Sequence, residues 1–166
     1  MPVQSKKFLS ECSGERLGLV IEALRAGGLV RMKVWGESML PTLWPGDSLS
    51  IQGVGEAPLP GEIVLAVRDD RCFVHRLVGR NRDHPSQWIT RGDALLHCDP
   101  PFECNHLVGR VTAAERDGKM REITRLTLFA RGLGLLLCHS SLLRSAVLRF
   151  HSWQMARQNS MRPIAE

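Results

Sequence analysis

Ser38 sits in the run Gly36-Glu37-Ser38-Met39-Leu40-Pro41-Thr42-Leu43-Trp44-Pro45-Gly46-Asp47, where Pro, Gly and Asp punctuation fixes the hydroxyl instead of leaving it on a mobile loop. Such a serine reads as a positioned nucleophile. Two further segments follow it, Phe73-Val74-His75-Arg76-Leu77-Val78 and Thr90-Arg91-Gly92-Asp93-Ala94-Leu95-Leu96-His97-Cys98-Asp99, so that Ser, His and Asp arrive in that order. Amide hydrolysis by serine needs a base to take the hydroxyl proton, a donor for the developing oxyanion and a group that holds the base. The three segments hold candidates for each.

Taken with Leu107-Val108-Gly109-Arg110-Val111, the order GxSMxPTLxxGD, then HR with an aliphatic pair, then TRGDxxxxxD, resembles the signal peptidase and SOS-repressor superfamily of serine peptidases. The resemblance runs from about Val34 to Val111, and the Met-Leu-Pro-Thr-Leu continuation after Ser38 is similar to the signal-peptidase branch. It implies that Ser38 is the nucleophile, His75 the general base, and Asp93 or Asp99 its acidic partner. Bacterial and mitochondrial members usually carry Lys at the position of His75, whereas the archaeal and endoplasmic-reticulum type carries His with two aspartates at this six-residue separation. The chain is similar to the histidine type. Histidine suits a base because its ordinary pKa of about 6.5 lies near working pH, while a lysine must first be desolvated.

The Ser38 backbone N–H is the expected oxyanion donor, and Gly36 lacks the side-chain hydroxyl that some members of the resembling family use at that place. Pro41, Pro45 and Gly46 stiffen the turn after the serine, and Asp47 is expected to tie that turn and take no part in the reaction. His84, His97 and His106 are read as structural.

The elements that must position these residues are short. Residues 15 to 26 place Leu17, Val20, Ile21 and Leu24 on one face of a helix, which Gly27 and Gly28 stop and which is expected to cap the catalytic domain. From Leu29 the pattern turns to the β-rich runs LVRMKVW, DSLSIQGV, EIVLAVR, CFVHRLVGR, QWITRG and HLVGRVTAAER. The expected fold is mainly β: a small, irregular, antiparallel peptidase-type domain with a short N-terminal helix and C-terminal helices. The organisation reads as an N-terminal helical segment over residues 1–28, a β domain over 29–118 and a basic, Leu-rich helical tail over 119–166, broken near Gly132 and Gly134.

Composition narrows the remaining classes. A chain of 166 residues, 43% hydrophobic and 23% charged, is single-domain in length. The formal charge of +5 is concentrated after Lys119, where Arg121, Arg125, Arg131, Arg144, Arg149, Arg157 and Arg162 meet only Glu122 and Glu166. A solvated helix face accounts for that surplus, and no nucleic-acid partner is expected. Five cysteines, odd in number and without a CxxC pair, point to reduced thiols and a cytoplasmic location. His97, Cys98, Cys104 and His106 match no standard zinc spacing, so neither metal nor cofactor is expected.

Lys6 and Lys7 are followed by Glu11, Ser13, Gly14 and Glu15 instead of an apolar core, so no signal peptide is expected. The most apolar run, Gly132 to Leu143, has twelve uncharged residues against the roughly 20 that a bilayer needs. This departs from signal peptidases, which usually carry a membrane anchor ahead of the serine. The leucines of the tail are expected to pack on protein, with peripheral contact at a membrane surface as the alternative.

The function expected is that of a serine endopeptidase cleaving a precursor or leader peptide. Two alternatives use the same fold: a repressor-like regulator that cuts its own chain, and a non-catalytic peptide-binding module. The first would need a DNA-binding domain in the 28 or so residues before the β domain, which is too short. The second would be favoured by loss of the serine or histidine, and both are present.

Overall fold

A computed structural model of the chain describes residues 14–68 and 71–123. It opens with helix α1, Gly14–Arg25. Leu17 and Leu24 on its inner face are buried, and Val20 and Ile21 pack half-buried beside them. Full burial of a leucine contributes about 1.5–3 kcal/mol, so these two side chains, with Val20 and Ile21 beside them, attach the helix to the core. The helix ends where Gly27 adopts φ 79°, with the Gly28 N–H donating to Ala23 O at 2.9 Å and the Gly27 N–H to Leu24 O at 3.0 Å. Those two bonds cap the last carbonyls in a Schellman arrangement, which needs a residue tolerant of the left-handed region.

The rest is one antiparallel sheet curled into a half-barrel. Its strands are β1 (Leu29–Lys33), β2 (Ser48–Gly53), β3 (Ile63–Arg68), β4 (Arg71–Arg80), β5 (Gln87–Arg91), β6 (Phe102–Glu103), β7 (Leu107–Arg116) and β8 (Lys119–Glu122), with a 3-10 turn at Cys104–His106. The order is β1-β2-β7-β3-β4-β5-β6, and β8 pairs with β7. The sheet forks at β7. Its first half pairs with β3 through Leu107 to Arg110, its second half with β8 through Ala113 to Arg116, and β2 lies along its other side. Register shifts at Ser50/Ile51, Leu65/Ala66 and Leu77/Gly79 interrupt the ladders. Extra residues of this kind bend a strand and increase its twist, which curls the sheet.

Alternation along β3 separates two cores. Ile63 and Leu65 face a cluster with Met39, Leu43, Leu49, Ile51, Val108, Val111 and the inner face of α1. Val64 and Ala66 face the other way, toward Leu77, Trp88, Phe102 and Leu107. The helix is seated at Gly53, where a Cβ would stand 1.8 Å from Leu24 O. Only glycine allows that approach.

The helix and the six expected β-rich runs appear in the structure, the first run ending at Lys33 so that Trp35 lies outside it. Two strands were not expected. β6 is two residues long, too short for any alternation to show, and β8 is Lys-Met-Arg-Glu with every residue exposed, so no apolar face marks it. β8 forms because Asp117 (φ 52°) and Gly118 (φ 74°) make a two-residue hairpin closed by Arg116 opposite Lys119. Asp-Gly with both residues at positive φ is the favoured turn for such a hairpin. The sheet thus runs on to Glu122, past residue 118. The C-terminal helices expected after Lys119 lie outside the described residues, and among those residues no helix is long and apolar enough to cross a membrane.

Candidate active site

Ser38 lies on the connection between β1 and β2. The foot of this loop is closed by two bonds that join Val34 to Gly46 and Asp47: Val34 N–H to Asp47 O, and Gly46 N–H to Val34 O, both 2.8 Å. Inside the loop the chain turns tightly, with Leu40 N–H donating to Glu37 O at 3.1 Å and Leu43 N–H to Met39 O at 3.0 Å, and the Leu40–Pro41 peptide bond is cis. Met39, Leu40 and Leu43 are buried beneath it. The apolar residues after the serine therefore anchor the turn in the core while Ser38 itself stays half-buried at the surface.

His75 lies on β4 opposite Val64 of β3, on the face that carries Leu77 and, one strand further, Thr90. Its Nε2 is 2.9 Å from Ser38 Oγ and its Nδ1 is 2.6 Å from Asp99 Oδ2. Asp99 follows β5 by a loop that folds back so that its N–H donates to Thr90 O at 2.8 Å, and its Oδ2 also accepts the Thr90 hydroxyl at 2.7 Å. The Phe73 ring, two residues before His75 on the same face, meets the imidazole edge-on at 5.4 Å between centroids.

The protons follow from the partners. An ionised carboxylate only accepts, so Nδ1 carries the hydrogen toward Asp99 and Nε2 is left as the acceptor for the Ser38 hydroxyl. Burial by itself raises the Asp99 pKa, but the hydrogen bond and charge of His75, the Thr90 hydroxyl and the nearby Arg68 together outweigh it and hold the carboxyl below its ordinary value. The acid is thus ionised where the imidazole needs an anion.

The second aspartate of the motif does different work. Asp93 receives Arg76 in bidentate fashion, Nε to Oδ1 and Nη2 to Oδ2, both 2.8 Å, and its Oδ2 accepts the Thr42 hydroxyl at 2.6 Å. Arg76 also donates through Nη1 to Gly61 O at 2.6 Å. The sequence left Asp93 and Asp99 as alternatives for the imidazole's partner, and the geometry puts Asp99 there and gives Asp93 to the residue next to His75. Close to both, Ala94 N–H donates to Ser38 O at 2.9 Å.

Asp47 ties the turn, as its place in the motif suggested: it accepts the Trp44 N–H at 2.8 Å and a bidentate Arg116 at 2.7 Å. Thr90 and Thr42 were not singled out from sequence. Thr90 carried a signal all the same, a hydroxyl at an inward position of β5 two residues from Trp88, where an apolar side chain would ordinarily stand. His84, His97 and His106 are exposed, outside this constellation. Among the described residues no group of three His, Cys, Asp or Glu is placed to hold a metal.

A scan of protein-family models finds no match to the chain, and a search of curated proteins finds none either.

Proposed function

We propose that the protein is a serine endopeptidase, similar to signal peptidases of the histidine type, in which Ser38 attacks, His75 shuttles the proton and Asp99 orients His75. One observation carries this reading: the unbroken line from Ser38 Oγ to His75 Nε2, and from His75 Nδ1 to Asp99 Oδ2. Serine hydroxyls are poor nucleophiles until a base accepts the proton, and a base works only in the right tautomer. That line supplies both conditions.

In the first step His75 Nε2 takes the Ser38 proton as Oγ bonds to the scissile carbonyl carbon, whose oxygen gains the negative charge. The Ser38 N–H donates to no group among the described residues and is the donor assigned to that oxyanion. One such donor contributes about 10²–10³ in rate. The imidazolium, held against the ionised Asp99, then returns its proton to the leaving amine, and a water activated by the same imidazole hydrolyses the acyl-serine. The substrate would be a precursor or leader peptide read in extended form beside the sheet.

The reaction is assigned to the cytoplasm or the cytoplasmic face of a membrane, on the strength of the odd cysteine count and the short apolar run of the tail. Incubating the purified chain with a panel of precursor peptides, alongside Ser38→Ala, tests the proposal. Cleavage that disappears in the variant supports it; cleavage that persists shows another group to be the nucleophile.

A further inference from the structure

The foot of the loop that carries Ser38 is gripped by a pair of side chains that take no part in the chemistry. Asp47 is 2% exposed, and its carboxylate receives the Trp44 N–H and both Nε and Nη2 of Arg116, from the last position of β7. The guanidinium also lies 5.4 Å from the centre of the Trp44 ring, and Trp44 Nε1 donates to Pro41 O at 2.8 Å. A continuous path therefore leads from β7 through Asp47 and Trp44 to Pro41, three residues from the serine.

The tip of the loop is held separately, by Ala94 N–H on Ser38 O and by Thr42 on Asp93. Between tip and foot, residues 38 to 47 make no strand pairing. The height of Ser38 above β4, and with it the 2.9 Å contact with His75, is therefore set by these two polar clamps together with the buried Met39, Leu40 and Leu43. A bidentate guanidinium–carboxylate pair is the stiffer kind, because its two parallel bonds fix orientation as well as distance.

We propose that Arg116 is a positioning residue for Ser38, acting through Asp47 and Trp44. The proposal rests on the serine-peptidase reading for its effect on rate, while its structural half is independent of that reading. Arg116 stands outside the motif segments that resemble the family, so nothing in those segments assigns it.

The test uses the full chain with Arg116→Met, Arg116→Lys and, as a control, Arg31→Met, which breaks the more exposed Arg31–Glu115 pair one position away on β7. Acylation of Ser38 by a fluorophosphonate is followed by intact mass, kcat and KM are measured on a peptide that the wild type cleaves, and amide exchange is read at Ala94. In Arg116→Met, still folded by circular dichroism, acylation and kcat should fall on the order of 10- to 100-fold, as for a nucleophile displaced by about 1 Å, with KM unchanged. Ala94 should exchange faster, Arg116→Lys should recover part of the rate, and Arg31→Met should stay within about twofold of wild type.

A wild-type acylation rate in Arg116→Met, or an equal loss in Arg31→Met, would overturn the proposal. If Arg116→Met does not fold, the double variant Asp47→Asn, Arg116→Met leaves no charge stranded and is judged by the same outcomes. If the wild type is not acylated at Ser38, the peptidase reading fails and exchange decides alone. Faster exchange at Ala94 in Arg116→Met but not in Arg31→Met then supports the positioning role, and unchanged exchange overturns it.

Discussion

Thr42 and Asp93 join the loop of Ser38 to the strand of His75: the Thr42 hydroxyl donates to Asp93 Oδ2 at 2.6 Å, and Asp93 grips Arg76, the neighbour of His75 on β4. Ser38 and His75 are thus held together by a tie that does not involve their own contact. Because Asp93 serves this tie and Asp99 serves the imidazole, the two aspartates of one motif should fail in different ways.

Asp99→Asn should keep the fold and lose about 10³–10⁴-fold in cleavage, since an amide can donate to Nδ1 and favours the wrong tautomer. Asp93→Asn should chiefly destabilise. It strands the Arg76 guanidinium, whose side chain is 11% exposed, and breaking a buried pair costs about 3–5 kcal/mol. Peptide cleavage and thermal melting of both variants check the division. Similar melting temperatures with similar activity losses would show that the aspartates share one role.

Thr90→Val removes the hydroxyl from Asp99 Oδ2 at a position that is 0% exposed, with little change of shape. The lost bond to a charged acceptor is expected to cost about 1.5–3 kcal/mol in stability and to lower cleavage by roughly tenfold as the carboxylate loosens. Denaturant melts and kcat measured on the same preparation test both effects.

The lowered Asp99 pKa makes a statement about acid stability. A carboxyl whose folded pKa lies below its ordinary 3.8 favours the folded state, an effect fully present above 3.8 and lost as pH falls through the folded value. Wild type should therefore lose its margin over Asp99→Asn on the acid limb, below about pH 4, when both are unfolded in urea across that range. A margin that stayed constant to the lowest pH would show that Asp99 is not ionised against His75.

Gly92 tests the placing of Ser38 without touching a polar side chain. A Cβ there would stand 2.6 Å from Ser38 O and 3.0 Å from the Leu95 side chain. Leu95 can move, but the Ser38 backbone can give way only by shifting the loop, so Gly92→Ala should lower kcat on the order of 100-fold while the sheet survives. Unchanged activity would show that the loop tolerates displacement.

What the sequence carried and what it did not follows from the reach of each signal. The periodicity of Leu17, Val20, Ile21 and Leu24 and the alternation of the longer strands are local, so α1 and six strands could be read directly. β8 could not, because its four exposed residues have no apolar period; the Asp117-Gly118 dipeptide is the local turn signal for its hairpin. Ser38, His75, Asp93 and Asp99 stood out through their order along the chain. The division of labour between the aspartates did not, since it depends on which way the loop after β5 folds back onto Thr90. Arg116 lies 69 positions from Asp47, a pairing that no local pattern announces.

The most direct test of the proposed function is a double-variant comparison at Ser38 and His75: cleavage of one peptide by wild type, Ser38→Ala, His75→Ala and the double variant, each shown to be folded. If the two residues act as one unit, each single variant loses several orders of magnitude and the double is scarcely worse than either. Full activity in either single variant, or losses that multiply in the double, would contradict the account.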